Sequence, residues 1–248
     1  MEILGVDIGG SGIKGAVVDA DGGTLVSERR RIPTPQPATP AAIASALEAL
    51  VEELDWHGAV ACGFPARVNS GIVRTAANID ASWIRVNAEQ LFSQALGQPV
   101  MVINDADAAG IAEMRFGAGQ GRSERRIMVL TIGTGIGSAI FLDGTLYPNT
   151  ELGHLSFQGG IAEHYCSASV REREGLKWKE FGRRFNEFLL HLEFILQPDL
   201  FILGGGASRK FERFSGELTC EAPVVAAQTR NLAGIIGAAV YGAQRLQK

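Results

Sequence analysis

Cysteine is scarce in this chain. Cys62, Cys166 and Cys220 lie far apart and form no Cys-x-x-Cys pair. A disulfide framework and a cysteine zinc cluster are thereby excluded, and the pattern fits a reducing compartment. A basic excess is missing too: the net charge of −4 argues against a nucleic-acid partner. A local basic groove for an anionic substrate stays open. No apolar run approaches the roughly 18 residues of a membrane span, so no membrane partner is expected. The opening "MEILGVDIGG" carries acid where a signal peptide carries base, and its apolar run breaks at Asp7. The expectation is a cytoplasmic protein. What the chain has in quantity is glycine, at 31 of 248 residues, and apolar side chains, at 46%. That length allows one large domain or two small ones, with a sizeable core.

The glycines cluster first in "GVDIGGSGIKG", Gly5 to Gly15. Gly10, Gly12 and Gly15 match the spacing G-x-G-x-x-G. A dinucleotide fingerprint of that form opens a helix after a strand. Here Ala16-Val17-Val18 follows, a β-branched run that turns at Asp21-Gly22-Gly23, so the glycines open a second strand. The run lacks the Gly-Lys-Ser/Thr of a Walker motif, and the chain lacks His-Arg-Asp and Asp-Phe-Gly of a protein kinase. The stretch predicts a β-hairpin, and the literal match is an accident.

A weak echo of this segment starts at Ile127, "IMVLTIGTGIGSAIFLDGTLY". Both copies run strand, polar residue (Asp7, Thr131), Ile-Gly, small-residue turn, strand, Asp-Gly turn and Thr-Leu. Two such hairpins predict two related α/β lobes with a cleft between them. The expected lobes are residues 1–105 and 106–231, with a small-residue helix over about 232–248 packing back on the first. Between the hairpins, "PTPQPATP" predicts an extended connector, and Ala41 to Leu54 a helix with Ile43, Leu47, Leu50 and Leu54 on one face. "GAVACGFPA" and Val100 to Ile103 predict strands, and Ala106 to Phe116 a helix. "REREGLKWKEFGRR", Arg171 to Arg184, predicts a charged helical surface whose Lys177, Lys179, Arg183 and Arg184 could extend a phosphate track.

Glycine turns bind phosphate when their N–H groups converge and no side chain blocks approach. Gly9-Gly10-Ser11-Gly12 and Gly133-Thr134-Gly135 are candidates, with hydroxyls on Ser11 and Thr134 and a charge on Lys14. Phe201 to Ser208 predicts a buried strand ending in a third turn at Gly204-Gly205-Gly206, followed by Arg209 and Lys210. Asp105 ends a strand and precedes a helix, where it is either a general base or, like Asn104 before it, simply a helix cap. Asp107 as the cap would free Asp105 for chemistry. Glu151, His154 and Glu163 suit sugar hydroxyls. A zinc reading of His154, His164 and Cys166 matches no common structural spacing.

With these residues together the chain resembles the ROK (repressor, open reading frame, kinase) sugar kinases. The matching stretches run in order along nearly the whole chain: "GVDIGGSGIKGAVVD", "CGFPA", "TAANIDASW", "NDADAAGIAEMRFGAG", "LTIGTGIGSA", "PNTELGHL", "LFILGGG" and "NLAGIIGAA". The resemblance implies the actin-like ATPase (ribonuclease H-like) α/β fold and transfer of a terminal phosphoryl group to the 6-hydroxyl of glucose. It implies Mg²⁺ and a polyphosphate or ATP donor, held by Gly9, Gly10, Ser11, Gly12, Lys14, Thr131, Gly133, Thr134, Gly135, Gly205 and Gly206. Asp105 becomes the catalytic base, and Asn78, Asn104, Glu151, His154 and Glu163 the glucose contacts. Asp7 would reach a metal only through water, and a homodimer is common in the family. Most members carry Cys-x-Cys-Gly-x-x-Gly-Cys after the Gly-His; here "SFQGGIAEHYCSAS" stands instead, so no structural zinc is expected and the polyphosphate-using branch is favoured. The chain begins directly on its first strand, and a DNA-binding repressor is not expected.

Overall fold

A computed structural model describes residues 1–122 and 125–247. The first half runs β1 (Glu2–Gly9), β2 (Gly12–Asp19), β3 (Thr24–Leu25), β4 (Arg30–Ile32), α1 (Pro40–Glu53), β5 (Val60–Phe64), β6 (Val68–Asn69), β7 (Ile72–Val73), α2 (Ala88–Leu96), β8 (Val100–Asn104) and α3 (Asp105–Phe116). The second runs β9 (Arg126–Ile132), β10 (Ile136–Leu142), β11 (Thr145–Tyr147), β12 (Ser156–Phe157), β13 (Gly160–Ile161), α4 (Ala162–Cys166), α5 (Ala168–Arg173), α6 (Trp178–Leu196), β14 (Leu200–Gly204), β15 (Val224–Ala226) and α7 (Ala233–Leu246). Two compact units result: Met1–Ala112 with Leu232–Lys248, and Glu113–Asn231. Lys248, at the end of the helix expected over about 232–248, lies outside the described residues.

In the first unit the strand order is β3-β2-β1-β5-β8, with β4 paired to β2. β1 and β2 are antiparallel, whereas β1, β5 and β8 run parallel. Parallel strands are covered on both faces, and side chains alternate with period two. Leu4, Val6 and Ile8 accordingly enter a core with Ile43, Leu47 and Leu50 of α1 and with Phe64, Trp83 and Phe92. Trp83 is fully buried, edge-on to Phe64 at 4.7 Å, and its indole N–H donates to the Ala38 carbonyl at 2.8 Å. α1 starts where Thr39 accepts from the Ala42 amide and Pro40 takes the first turn, a position whose N–H needs no partner. The opposite face of β1 carries α7. A Cβ at Gly242 would come within 2.7 Å of the Ala61 Cβ, and one at Gly237 would collide with the Ala108 carbonyl oxygen. The small residues of α7 permit this close approach.

The second unit repeats the plan as β11-β10-β9-β14-β15. Again the first three strands are antiparallel and the last three parallel. The repeat expected from the sequence is thus a repeat of topology. Met128, Leu130 and Ile132 of β9 face α6, whose Phe181, Phe185, Phe188, Leu189 and Leu192 recur at helical spacing and are all buried. Each such side chain contributes roughly 1.5–3 kcal/mol of burial. Glu113, 1% exposed, accepts from the amides of Ala118, Gln228 and Thr229 and from the Thr229 hydroxyl. It ties the end of α3 to the segment after β15. One expectation is corrected: Arg171 to Arg184 is not a single helical surface. α5 ends at Arg173, Gly175 takes φ +66°, and α6 begins at Trp178, because only a left-handed residue turns the chain so sharply.

Candidate active site

In the first unit the site is built at the carboxyl ends of β1, β5 and β8, where open α/β sheets place their ligands. Asn104 closes β8 and is buried. Its Oδ1 accepts from the Asp107 amide at 3.0 Å, three residues on, which is N-cap geometry for α3. The cap is therefore Asn104 and not Asp107, and Asp105 has no capping role that would spend it. Asn104 Nδ2 donates to the Ala66 carbonyl and to Asp105 Oδ1, each at 3.2 Å, and the Ala106 amide donates to the same Oδ1 at 2.8 Å. Asp105 is thus a carboxylate of fixed orientation at a strand end. Asp7, half-buried near the end of β1, accepts from the Lys14 ammonium at 2.9 Å. Lys14 is engaged there and lines neither of the cavities described below.

The first glycine turn is a tight hairpin in which Gly9 pairs with Gly12. None of its glycines takes a left-handed φ, and a Cβ at Gly10 would meet no heavy atom within 4 Å. A Cβ at Gly12 would strike the Arg31 guanidinium at 2.7–2.9 Å. Arg31 donates to the Ser11 carbonyl at 2.8 Å, Thr34 to that of Gly9 at 2.5 Å, and Gln36 to that of Gly10 at 3.5 Å. β4 and the proline-rich connector after it thereby hold the carbonyl ends of these peptide dipoles, an arrangement that suits an anion over the turn. Gly9 and Gly10 line a cavity of about 300 Å³ with Thr34, Gln36, Asn78 and Asp80. Asn78 is the one expected glucose contact that shares it.

In the second unit the three residues Gly133, Thr134 and Gly135 join Ile132 to its partner Ile136. Here too the carbonyls are held: the amides of Ala168 and Ser169 donate to Gly133 at 3.1 and 3.3 Å, and the Ser169 hydroxyl to Thr134 at 2.6 Å. Gly133 is open to at least 4 Å, as is Gly206. Gly160 and Gly216 are equally open, so openness alone marks no site. Gly133 and Gly206 stand apart because both line one cavity of about 440 Å³, with Thr134, Ser169, Arg171, Trp178, Arg209 and Lys210. Gly205, beside it, takes φ +75°, and a Cβ there would sit 2.5 Å from the Ile132 backbone. Thr131, in β9, pairs with Gly204 and Gly137 next to this turn.

Glu151, His154 and Glu163 are brought together in the same unit. His154 Nδ1 lies 3.3 Å from Glu151 and Nε2 3.4 Å from Glu163. Glu163 also accepts from the Ile136 amide at 3.1 Å, and its carboxylate occupies the space a Cβ on Gly135 would need. Gly153 lies so close to the Ile136 carbonyl that a side chain is excluded. Thr150 and Leu152 are fastened to buried Ser138. The turn and these three polar side chains are therefore one packed assembly. Burial pushes the Cys62 and Cys166 thiols upward and Cys220 to about 11, which leaves none of them a ready nucleophile. Among the described residues no group of three or more His, Cys, Asp or Glu is placed to hold a metal ion, and no helix is long and apolar enough to cross a membrane.

The charged stretch presents Lys177, Lys179 and Arg183 on the surface, as expected. Arg183 pairs with Glu217 and Arg184 with Glu174. The cation from that stretch that lines the cavity is Arg171, and the aromatic is Trp178. The bend at Gly175 brings them together, and the lone signal for it was that glycine between two charged runs.

Residues 3–170 match the sequence model of the ROK family. Polyphosphate glucokinase of Mycobacterium tuberculosis is 46% identical over 96% of this chain and 89% of its own length. An inorganic polyphosphate/ATP-glucomannokinase from Arthrobacter sp. strain KM superposes with TM-score 0.95 at 46% identity, covering 98% of this chain and 99% of that one. A ROK family glucokinase from Streptomyces griseus, in complex with glucose and AMPPNP, gives TM-score 0.84 at 27% identity, covering 98% and 100%. The fold is the actin-like, ribonuclease H-like one that the sequence resemblance implied.

Proposed function

The chain belongs to the ROK family, and on that premise we propose that it moves the terminal phosphoryl group of inorganic polyphosphate, and also of ATP, to the 6-hydroxyl of glucose, giving glucose 6-phosphate. The observation that carries this reading is 46% identity to a polyphosphate glucokinase along almost the full length of both chains. Phosphoryl transfer asks a protein mainly for positioning and charge neutralisation. Asp105 is the base that takes the hydroxyl proton, and the Asn104 amide and Ala106 N–H hold its Oδ1 so that the carboxylate keeps one orientation. Asn104, buried and capping α3, serves the sugar chiefly through Asp105. Asn78, Glu151, His154 and Glu163 are the proposed hydroxyl partners, and the open glycines Gly10, Gly133 and Gly206 admit the donor phosphates.

Mg²⁺ prefers one or two carboxylates plus phosphate oxygens and water over an all-protein cage. The donor set fits: Asp7 supplies a carboxylate at a strand end, although its pairing with Lys14 favours contact through water. When bound, the ion would neutralise donor charge. The same reading makes the protein a cytoplasmic homodimer.

The test is glucose 6-phosphate formation with Mg²⁺, using nucleotide-free polyphosphate in one reaction and ATP in another. Turnover with polyphosphate is expected. Turnover with ATP alone would move the protein to the nucleotide-dependent branch, and none with either donor would overturn the reading.

A further inference from the structure

The cavity beside Gly133 and Gly206 has the size for a nucleotide tail and base, yet its one aromatic surface is already covered. The Arg171 guanidinium carbon lies 3.9 Å over the Trp178 ring, well inside the range of a cation–π contact. Phe214 stacks on the same indole at 5.9 Å and 19°, and Phe181 meets it edge-on at 5.7 Å. A purine entering this cavity would have to displace the guanidinium to find a stacking partner. The guanidinium itself is held by the ring and makes no ion pair among the described residues, and its buried Nε has no hydrogen-bond partner. Arg209 and Lys210 line the same cavity, against the single carboxylate of Glu172. The lining thus offers three cations and one anion where the open glycines leave room for phosphate.

Building on the proposed phosphotransferase reading, we propose that Arg171, laid on Trp178, is the residue that selects the phosphoryl donor. It closes the aromatic slot a nucleobase would use and turns its planar donor fork to a run of phosphates. A polyphosphate chain has charge along its whole length and gains from each cation, whereas a nucleotide has charge at one end and needs the slot.

The experiment compares wild type with Arg171→Ala and Arg171→Lys by calorimetric titration of nucleotide-free polyphosphate of defined length and of a non-hydrolysable ATP analogue. The ratio of kcat/KM for polyphosphate to that for ATP is measured in parallel. Arg171→Ala should shift both ratios toward the nucleotide by at least about tenfold, the usual effect of removing one charge-assisted contact. Arg171→Lys, which keeps the charge but loses the planar fork, should fall between. Equal loss for both donors, or no change in either, would overturn the proposal. Glucose affinity reports whether each variant is folded, and the lysine variant decides the matter should the alanine variant not fold. The failure of the two readings is distinguishable: a wild type that turns over neither donor refutes the phosphotransferase assignment, while the binding ratio still decides the role of Arg171.

Discussion

The two units share one strand plan and differ in what surrounds the first turn of each. With Ile8–Ile13 and Ile132–Ile136 taken as equivalent pairs, the first turn holds four residues (9–12) and the second three (133–135). Both have their carbonyls fastened from behind, the first by side chains of β4 and the proline-rich connector and the second by the start of α5. The polar residue before the turn is Asp7 in one and Thr131 in the other. The first cavity is lined by neutral groups and one acid, the second by three cations, one acid and an indole. A duplicated scaffold thus carries two different chemistries, and the difference lies in the segments that pack against the hairpins as well as in the one polar position, Asp7 or Thr131, within them.

The largest expected effect falls on Asp105, at the carboxyl end of β8 in the first unit. Asp105→Asn should lower kcat by about 10²–10⁴, the usual worth of a positioned general base. Glucose affinity should stay within a few-fold, because the amide keeps the carboxylate's shape and its hydrogen bond from Ala106. Rapid-quench turnover and calorimetric glucose binding measure the two quantities, and a wild-type kcat would remove Asp105 from the mechanism.

Next comes a pair of glycine substitutions that separates packing from access. Gly237→Ala drives a methyl into the Ala108 carbonyl, so overpacking should cost about 1–3 kcal/mol or more. At this chain length that is roughly 2–4 °C of melting temperature per kcal/mol. Gly133→Ala places its methyl in open space and should leave the melting temperature within about 1–2 °C. It should raise the KM for the phosphoryl donor several-fold, since the methyl stands where phosphate is proposed to approach. A destabilised Gly133→Ala with unchanged donor KM would reverse the argument.

What could be read from the sequence follows from which interactions are local. The hairpins, the separate strands and the repeat were legible because alternation and turn residues act within a few positions, as at Asp21-Gly22-Gly23, whereas the parallel pairing of β1, β5 and β8 was not. The small residues of α7 were legible as core, but the partner that requires them, the Ala108 carbonyl, was not. The cap of α3 was open among Asn104, Asp105 and Asp107, and only the 3.0 Å approach of the Asp107 amide to Asn104 decides for Asn104. Arg171 over Trp178 was illegible, because in the expected continuous helix the two share a face but stand about 10.5 Å apart along the axis, and contact follows only from the break at Gly175. The break changes what that face meets.

The smallest effect tests the fastening of the second sheet. Arg126 of β9 pairs with Asp199, just before β14, through its backbone amide at 2.9 Å and its guanidinium at 3.1 and 3.2 Å. These bonds, the guanidinium's first, hold the Asp199 carboxyl below its ordinary range. A carboxylate whose pKa is lower in the folded state stabilises fully above its unfolded value of about 3.9, and that contribution is lost as pH falls through the folded value. Asp199→Asn should therefore lower the melting temperature by a small, constant amount from pH 5 to 8, with the gap from wild type closing below about pH 4. The pair is exposed, so the gap should also narrow in high salt. A gap that widened on acidification would mean that the charged pair opposes folding and that the shared strand plan, rather than this contact, sets the register of β9 against β14.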